Sequence, residues 1–292
     1  MPIEHTVRLH SGRVLEVVEA GDPKGVPVFG LHGTPGGRFL YPGHGEHATK
    51  HGIRLLGYGR PGYGGSTPER GRSMGDAAAD VVAIADDLGI ERFALWGHSG
   101  GGAPALGCAA LLGSRLVAAS SLAATAPYPT EGLDWTAGSG ESNAADFRAM
   151  LADVSAWEAN SERDIAAMAT LPPDALRTLL FDLCSDVDRA AFSDELLAFL
   201  YRQSVDGLRS GWAGMRDDNL ALIRPWGFDL DRIRVPVQIW HGDQDKFVPF
   251  SHGEWIARHV PGAEVHLQPG EGHLTLYLDR VLDAQRWLAD RF

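Results

Sequence analysis

At 292 residues, with 44% hydrophobic side chains, the chain is long enough for one large domain or two small ones built on a packed core. Its 26 basic against 38 acidic residues give a net charge of −12, which argues against sequence-independent binding to nucleic acid or anionic membranes and suits a neutral or cationic small molecule. Met1–His10 is too polar for a signal peptide, no run reaches the length of a membrane span, and Cys108 and Cys184 form no CxxC pair, so a cytoplasmic protein with buried thiols and no metal is expected.

In chain order, short β-rich runs at Arg13–Glu19, Val26–Leu31, Ile53–Tyr58, Arg92–Trp96 and Leu116–Ala123 alternate with helical patterns, the signature of a parallel sheet covered on both faces. Ser73 and Asp76 form a capping signal ahead of a helix that runs to about Leu88 and stops at Gly89. From Tyr128 to Leu230 the texture becomes helical, with a long pattern over Pro172–Arg209, and this segment carries 18 acidic and 8 basic side chains. Strand texture returns at Val235–Trp240 and Ala263–Leu267, and an amphipathic run closes the chain at Val281–Phe292. The organisation read from this is a core of residues 1–127 and 231–292 interrupted by a helical lid, 128–230.

Chemistry concentrates in Gly97-His98-Ser99-Gly100-Gly101, a GxSxG segment between a predicted strand and a predicted helix. A serine on such a turn projects its hydroxyl above the sheet, next to the partial positive charge of a helix N-terminus. A hydroxyl is a weak nucleophile without a base, so the reading requires a histidine and an orienting carboxylate elsewhere. His241-Gly242-Asp243-Gln244-Asp245 and Gly272-His273 follow successive predicted strands, on loops at the carboxyl edge where sites of open α/β sheets form. Asp245 lies 146 residues after Ser99, and His273 another 28.

Five segments in order resemble the α/β-hydrolase superfamily, serine-nucleophile branch: His32-Gly33-Thr34-Pro35-Gly36-Gly37, the loop Arg60-Pro61-Gly62-Tyr63-Gly64-Gly65-Ser66, the turn at Ser99, Gly242-Asp243-Gln244-Asp245 with Val248-Pro249, and Gly272-His273. The resemblance covers nearly the whole chain. It implies an eight-stranded, mostly parallel sheet with helices on both faces and a helical lid, and a cofactor-free triad of Ser99, Asp245 and His273. Asp245 rather than Asp243 faces the histidine in the family's Asp-x-x-Val-Pro arrangement. It further implies an oxyanion hole from the backbone N–H groups of Thr34 and Gly100. Where similar sequences carry an aspartate before the Arg-Pro-Gly segment this chain has Gly59, so a loop-fixing carboxylate is expected to be missing. Serine at the turn sets aside the epoxide hydrolases and haloalkane dehalogenases, which share the fold but attack with aspartate.

Weaker signals have plainer readings. Gly57-Tyr58-Gly59-Arg60-Pro61-Gly62 matches GxGxxG, but Pro61 prevents the helix that would receive a pyrophosphate. His44, His47 and His51 are read as surface histidines. Trp135, Trp157, Trp212 and Trp226 are read as lid packing, with one or two facing a pocket. The expected activity is hydrolysis of a small or medium ester or lactone through an acyl-enzyme on Ser99. A prolyl-aminopeptidase-like peptidase, a carbon–carbon hydrolase, a perhydrolase and a non-catalytic small-molecule receptor stay open on the same fold.

Overall fold

The computed structural model describes residues 2–168 and 171–292. Eight strands, β1 (Ile3–Arg8), β2 (Val14–Gly21), β3 (Val26–Leu31), β4 (Ile53–Tyr58), β5 (Phe93–His98), β6 (Leu116–Leu122), β7 (Val237–Gly242) and β8 (Glu264–Gln268), form one sheet. Their spatial order is β1-β2-β4-β3-β5-β6-β7-β8. Only the pairings β1/β2 and β2/β4 are antiparallel. From β4 to β8 every pairing is parallel.

The central strands are buried on both faces, which is why Phe93–His98 and Leu116–Leu122 contain no exposed position. On one face α2 (Ala77–Asp87), α3 (Gly102–Leu111) and α10 (Phe250–His259) pack Val81, Leu106 and Ile256 onto Phe29, Leu95 and Ile239. On the other, α1 (Pro42–Lys50) and α12 (Val281–Ala289) pack Ala48 and Leu288 against Val28, Ala94 and Trp96. Strand β1 was not marked in the sequence. It is an edge strand with alternating polar residues, in which Val7 is buried while Ile3 lies exposed.

Between β6 and β7 the chain leaves the sheet for six helices: α4 (Glu141–Ala152), α5 (Val154–Met168), α6 (Pro173–Leu183), α7 (Asp186–Ala191), α8 (Asp194–Gly207) and α9 (Ala213–Leu222). The pattern over Pro172–Arg209 is thus three helices, not one, because Ser185 and Ser193 cap new starts by accepting the N–H groups of Asp188 and Leu196. Trp157 and Trp212 meet edge-on at 5.6 Å inside an apolar cluster of the lid, Trp135 stacks on Phe147 at 4.0 Å, and Trp226 joins the core under the sheet.

Two local readings need correction. The helix α2 begins only after Asp76, whose carboxylate accepts the Ser73 N–H at 2.7 Å, so half of the capping exchange closes a turn just before the helix. Gly89 ends it as expected, at φ 67° with the Ile90 N–H bonded back to Ala85. His44 is fully buried, its Nε2 paired to the Tyr277 carbonyl at 2.8 Å, and burial pushes it down to about 4. Helix α1 packs that face on α12, a partner more than 200 residues away that local spacing cannot reveal. Among the described residues no helix is long and apolar enough to cross a membrane.

Candidate active site

Ser99 follows the last residue of β5 and opens a single 3₁₀ turn, Ser99–Gly101, that runs into α3. Its backbone sits at φ 55°, in the left-handed region that a non-glycine residue occupies at a cost of order 1–3 kcal/mol. Crowding around this turn explains its glycines: a methyl group on Gly97 would lie 2.0 Å from the Gly101 carbonyl oxygen, and one on Gly101 would lie 2.2 Å from that of Leu31.

The loop after β3 lies against this turn. A methyl on Gly33 would be 3.8 Å from Ser99 Oγ, and one on Gly100 would be 2.9 Å from the Thr34 nitrogen. The backbones of Thr34 and Gly100 are therefore packed together beside Ser99.

Asp245 and His273 come together from the loops after β7 and β8. His273 Nδ1 donates to Asp245 Oδ2 at 2.7 Å, and both side chains are buried. The other oxygen of Asp245 accepts the N–H groups of Phe247 and Val248, each at 2.9 Å, and the Phe247 ring stacks on the imidazole at 4.6 Å. Asp243 points elsewhere: its carboxylate accepts the Gly270 N–H at 2.8 Å and ties the two loops together.

His98, next to Ser99, places its ring 4.5 Å from that of His273 and pairs its Nε2 with the His273 carbonyl at 3.0 Å. Burial, followed by the repulsion of His273, holds His98 well below the usual histidine range, so it remains neutral and Nε2 carries the donated proton. Ser99 Oγ and His273 Nε2 are not within hydrogen-bonding geometry. Such bonds are commonly long without substrate and tighten when it binds.

The loop-fixing carboxylate expected to be missing at Gly59 is present, and it comes from the lid. Asp218 on α9 lies buried between Arg60 (2.6 Å) and Arg72 (2.6 Å) and accepts the hydroxyls of Tyr63 (2.6 Å) and Thr34 (2.7 Å). Arg60 in turn donates to the carbonyls of His32 and Gly33, the latter at 3.1 Å. Burial by itself would raise the Asp218 carboxyl. The pull of Arg60, then of Arg72, outweighs it and holds the group far below the carboxylate range. His32 is pushed down to about 3 by burial and by Arg60, and its Nε2 accepts the Arg60 N–H at 3.1 Å. Nothing local in Arg216-Asp217-Asp218-Asn219 announces this role, since the partners Arg60 and Tyr63 lie 158 and 155 positions upstream.

The model of the alpha/beta hydrolase fold matches residues 26–279. The AB hydrolase superfamily protein YisY of Bacillus subtilis is 25% identical over 283 residues, covering 94% of each chain. A non-heme chloroperoxidase of Streptomyces lividans is 27% identical over 250 residues, 84% of each. An esterase of Thermogutta terrifontis superposes with a TM-score of 0.70 at 20% identity, covering 100% of this chain and 99% of that one. This chain belongs to the alpha/beta-hydrolase family and is a hydrolase of that family.

Proposed function

We propose that the protein is a cofactor-free, cytoplasmic serine hydrolase that cleaves a small or medium ester or lactone through an acyl-enzyme on Ser99. The observation that carries this reading is the buried 2.7 Å pair of Asp245 and His273 beside a strained serine turn. Asp245 fixes the tautomer with the proton on Nδ1, leaving Nε2 as the basic nitrogen. His273 Nε2 takes the Ser99 proton as Oγ attacks the ester carbonyl. The N–H groups of Thr34 and Gly100 receive the charge that develops on its oxygen. Protonated His273 then hands its proton to the leaving alcohol, and water activated by the same nitrogen releases the acid and regenerates Ser99.

A second reading is perhydrolysis, in which hydrogen peroxide instead of water attacks the acyl-enzyme and yields a peracid. It is favoured by the likeness to the Streptomyces lividans chloroperoxidase. The experiment is a screen of p-nitrophenyl esters, lactones and peptide anilides with the parent and with Ser99→Ala. A fluorophosphonate probe labels the parent and spares the mutant, and ester turnover is lost with the hydroxyl. Equal labelling of the two proteins refutes the nucleophile; rapid cleavage of a free prolyl anilide with little ester turnover replaces the esterase with the peptidase.

A further inference from the structure

Asp188 belongs to the lid, on α7, yet most of its partners lie in the core. The residue is completely buried. One oxygen accepts the N–H groups of Leu274 (2.8 Å) and Thr275 (3.2 Å), and the other accepts the N–H of His273 (3.1 Å) and the Ser185 hydroxyl (3.0 Å). Every one of these contacts is a donation to Asp188, the pattern of an ionised carboxylate. It closes off three N–H groups at the start of the short helix α11 (His273–Thr275), whose first residue is His273.

Gly272 shows how tightly the group is fitted. A methyl there would lie 2.4 Å from Oδ1 and 2.5 Å from both Cγ and Oδ2, although the backbone at φ −104°, ψ −160° is open to any residue. The carboxylate occupies the volume of the missing side chain. His273 is thus held at three points on three elements: its N–H by the lid, its carbonyl by His98 of β5, and its ring by Asp245 of the β7 loop.

We propose that Asp188 is a positioning residue for His273, through which the seating of the lid sets the place of the catalytic base. This rests on His273 being the general base proposed above. A displacement of the base by even an ångström lowers the chemical step by about ten- to a hundredfold and leaves substrate binding nearly intact. The titratable groups facing His273 are Asp245 and His241 from β7 and its loop, His98 from β5, and Asp188 from the lid. Cys184, pushed up to about 12 by burial and then by Asp188, stays neutral. Of the negative charges, Asp188 is the one that can be removed without touching the imidazole ring's own partner.

The test compares the parent with Asp188→Asn, Gly272→Ala, the double variant Gly272→Ala/Asp188→Ala, and Asp188→Ala, using p-nitrophenyl ester kinetics and thermal melting. Asp188→Asn is expected to lower kcat about tenfold or more with KM within about twofold. Gly272→Ala lowers kcat in the same way, but adds nothing on top of Asp188→Ala, because the methyl then has room. Parent kcat in Asp188→Asn, with only a lower melting temperature, would overturn the proposal, as would additive losses in the double variant. If Asp188→Asn does not fold, Gly272→Ala decides by the same kcat-against-KM criterion. His273→Ala separates the two readings: turnover that survives it removes the general base itself, whereas loss there with no effect at Asp188 removes only the positioning role.

Discussion

The lid's other buried carboxylate makes a prediction that can be worked from the structure. Asp218→Asn keeps the shape of the side chain and removes its charge, leaving Arg60 and Arg72, both more than nine-tenths buried, without a counter-ion. Breaking a buried ion pair from one side costs about 3–5 kcal/mol. Against a typical total stability of about 5–15 kcal/mol this is severe, and for a chain of this size it lowers the melting temperature by roughly 5–8 °C. The same carboxylate accepts the Thr34 hydroxyl and anchors the arginine that holds the Gly33 carbonyl, so the loop presenting the Thr34 N–H should loosen as well. Complete loss of one oxyanion donor costs about a hundred- to a thousandfold in kcat, and a partial displacement should cost at least about tenfold. The assay is ester turnover well below the melting temperature, beside a thermal melt of the parent and of Asp218→Asn. Parent-like kcat in Asp218→Asn would refute the link between lid and oxyanion loop. An unchanged melting temperature would refute the energetic argument.

Two further outcomes are expected. Asp245→Asn should depress acylation by orders of magnitude, since Asp245 holds His273 Nδ1, whereas Asp243→Asn, which loosens a loop tie, should do much less; pre-steady-state phosphonate labelling ranks the two, and the reverse order refutes the assignment. Stability should also fall steeply on acidification, because burial holds His32 at about 3 and His44 and His252 at about 4, with His98 and His241 also lowered. These groups are neutral in the fold and gain protons below about pH 6.5 when unfolded, so their contribution is complete above that pH and is lost as pH falls towards 4. At pH 5 this is about 2 kcal/mol for each of His32, His44 and His252, and a melting temperature that stays level from pH 7.5 to 5 would refute it.

Much of the fold was legible in the residue pattern because its signals are local. Period-two and buried runs located seven of the eight strands, and ±2-residue differences at their ends matter only at β5, which extends to His98 and so delivers Ser99 directly from the sheet. β1 escaped because an edge strand facing water has little apolar signal. Ser185 and Ser193 were readable caps that were absorbed into a longer helical pattern, and with Ser185 went the one sequence clue to Asp188.

The sequence by itself determined the family and singled out Ser99, Asp245 and His273 as candidates, because each sits in a short motif whose spacing already encodes a turn at a strand end. Only the tertiary structure decided what holds those residues in place. Asp218 reaches back to Arg60 and Asp188 reaches forward to His273, across 158 and 85 positions respectively, from a segment that carries 18 acidic side chains. Burial and partnership are properties of the assembled fold: a carboxylate becomes a clamp when the chain closes water off from it and brings donors to both its oxygens, and nothing within a few residues of Asp188 or Asp218 states which donors those will be.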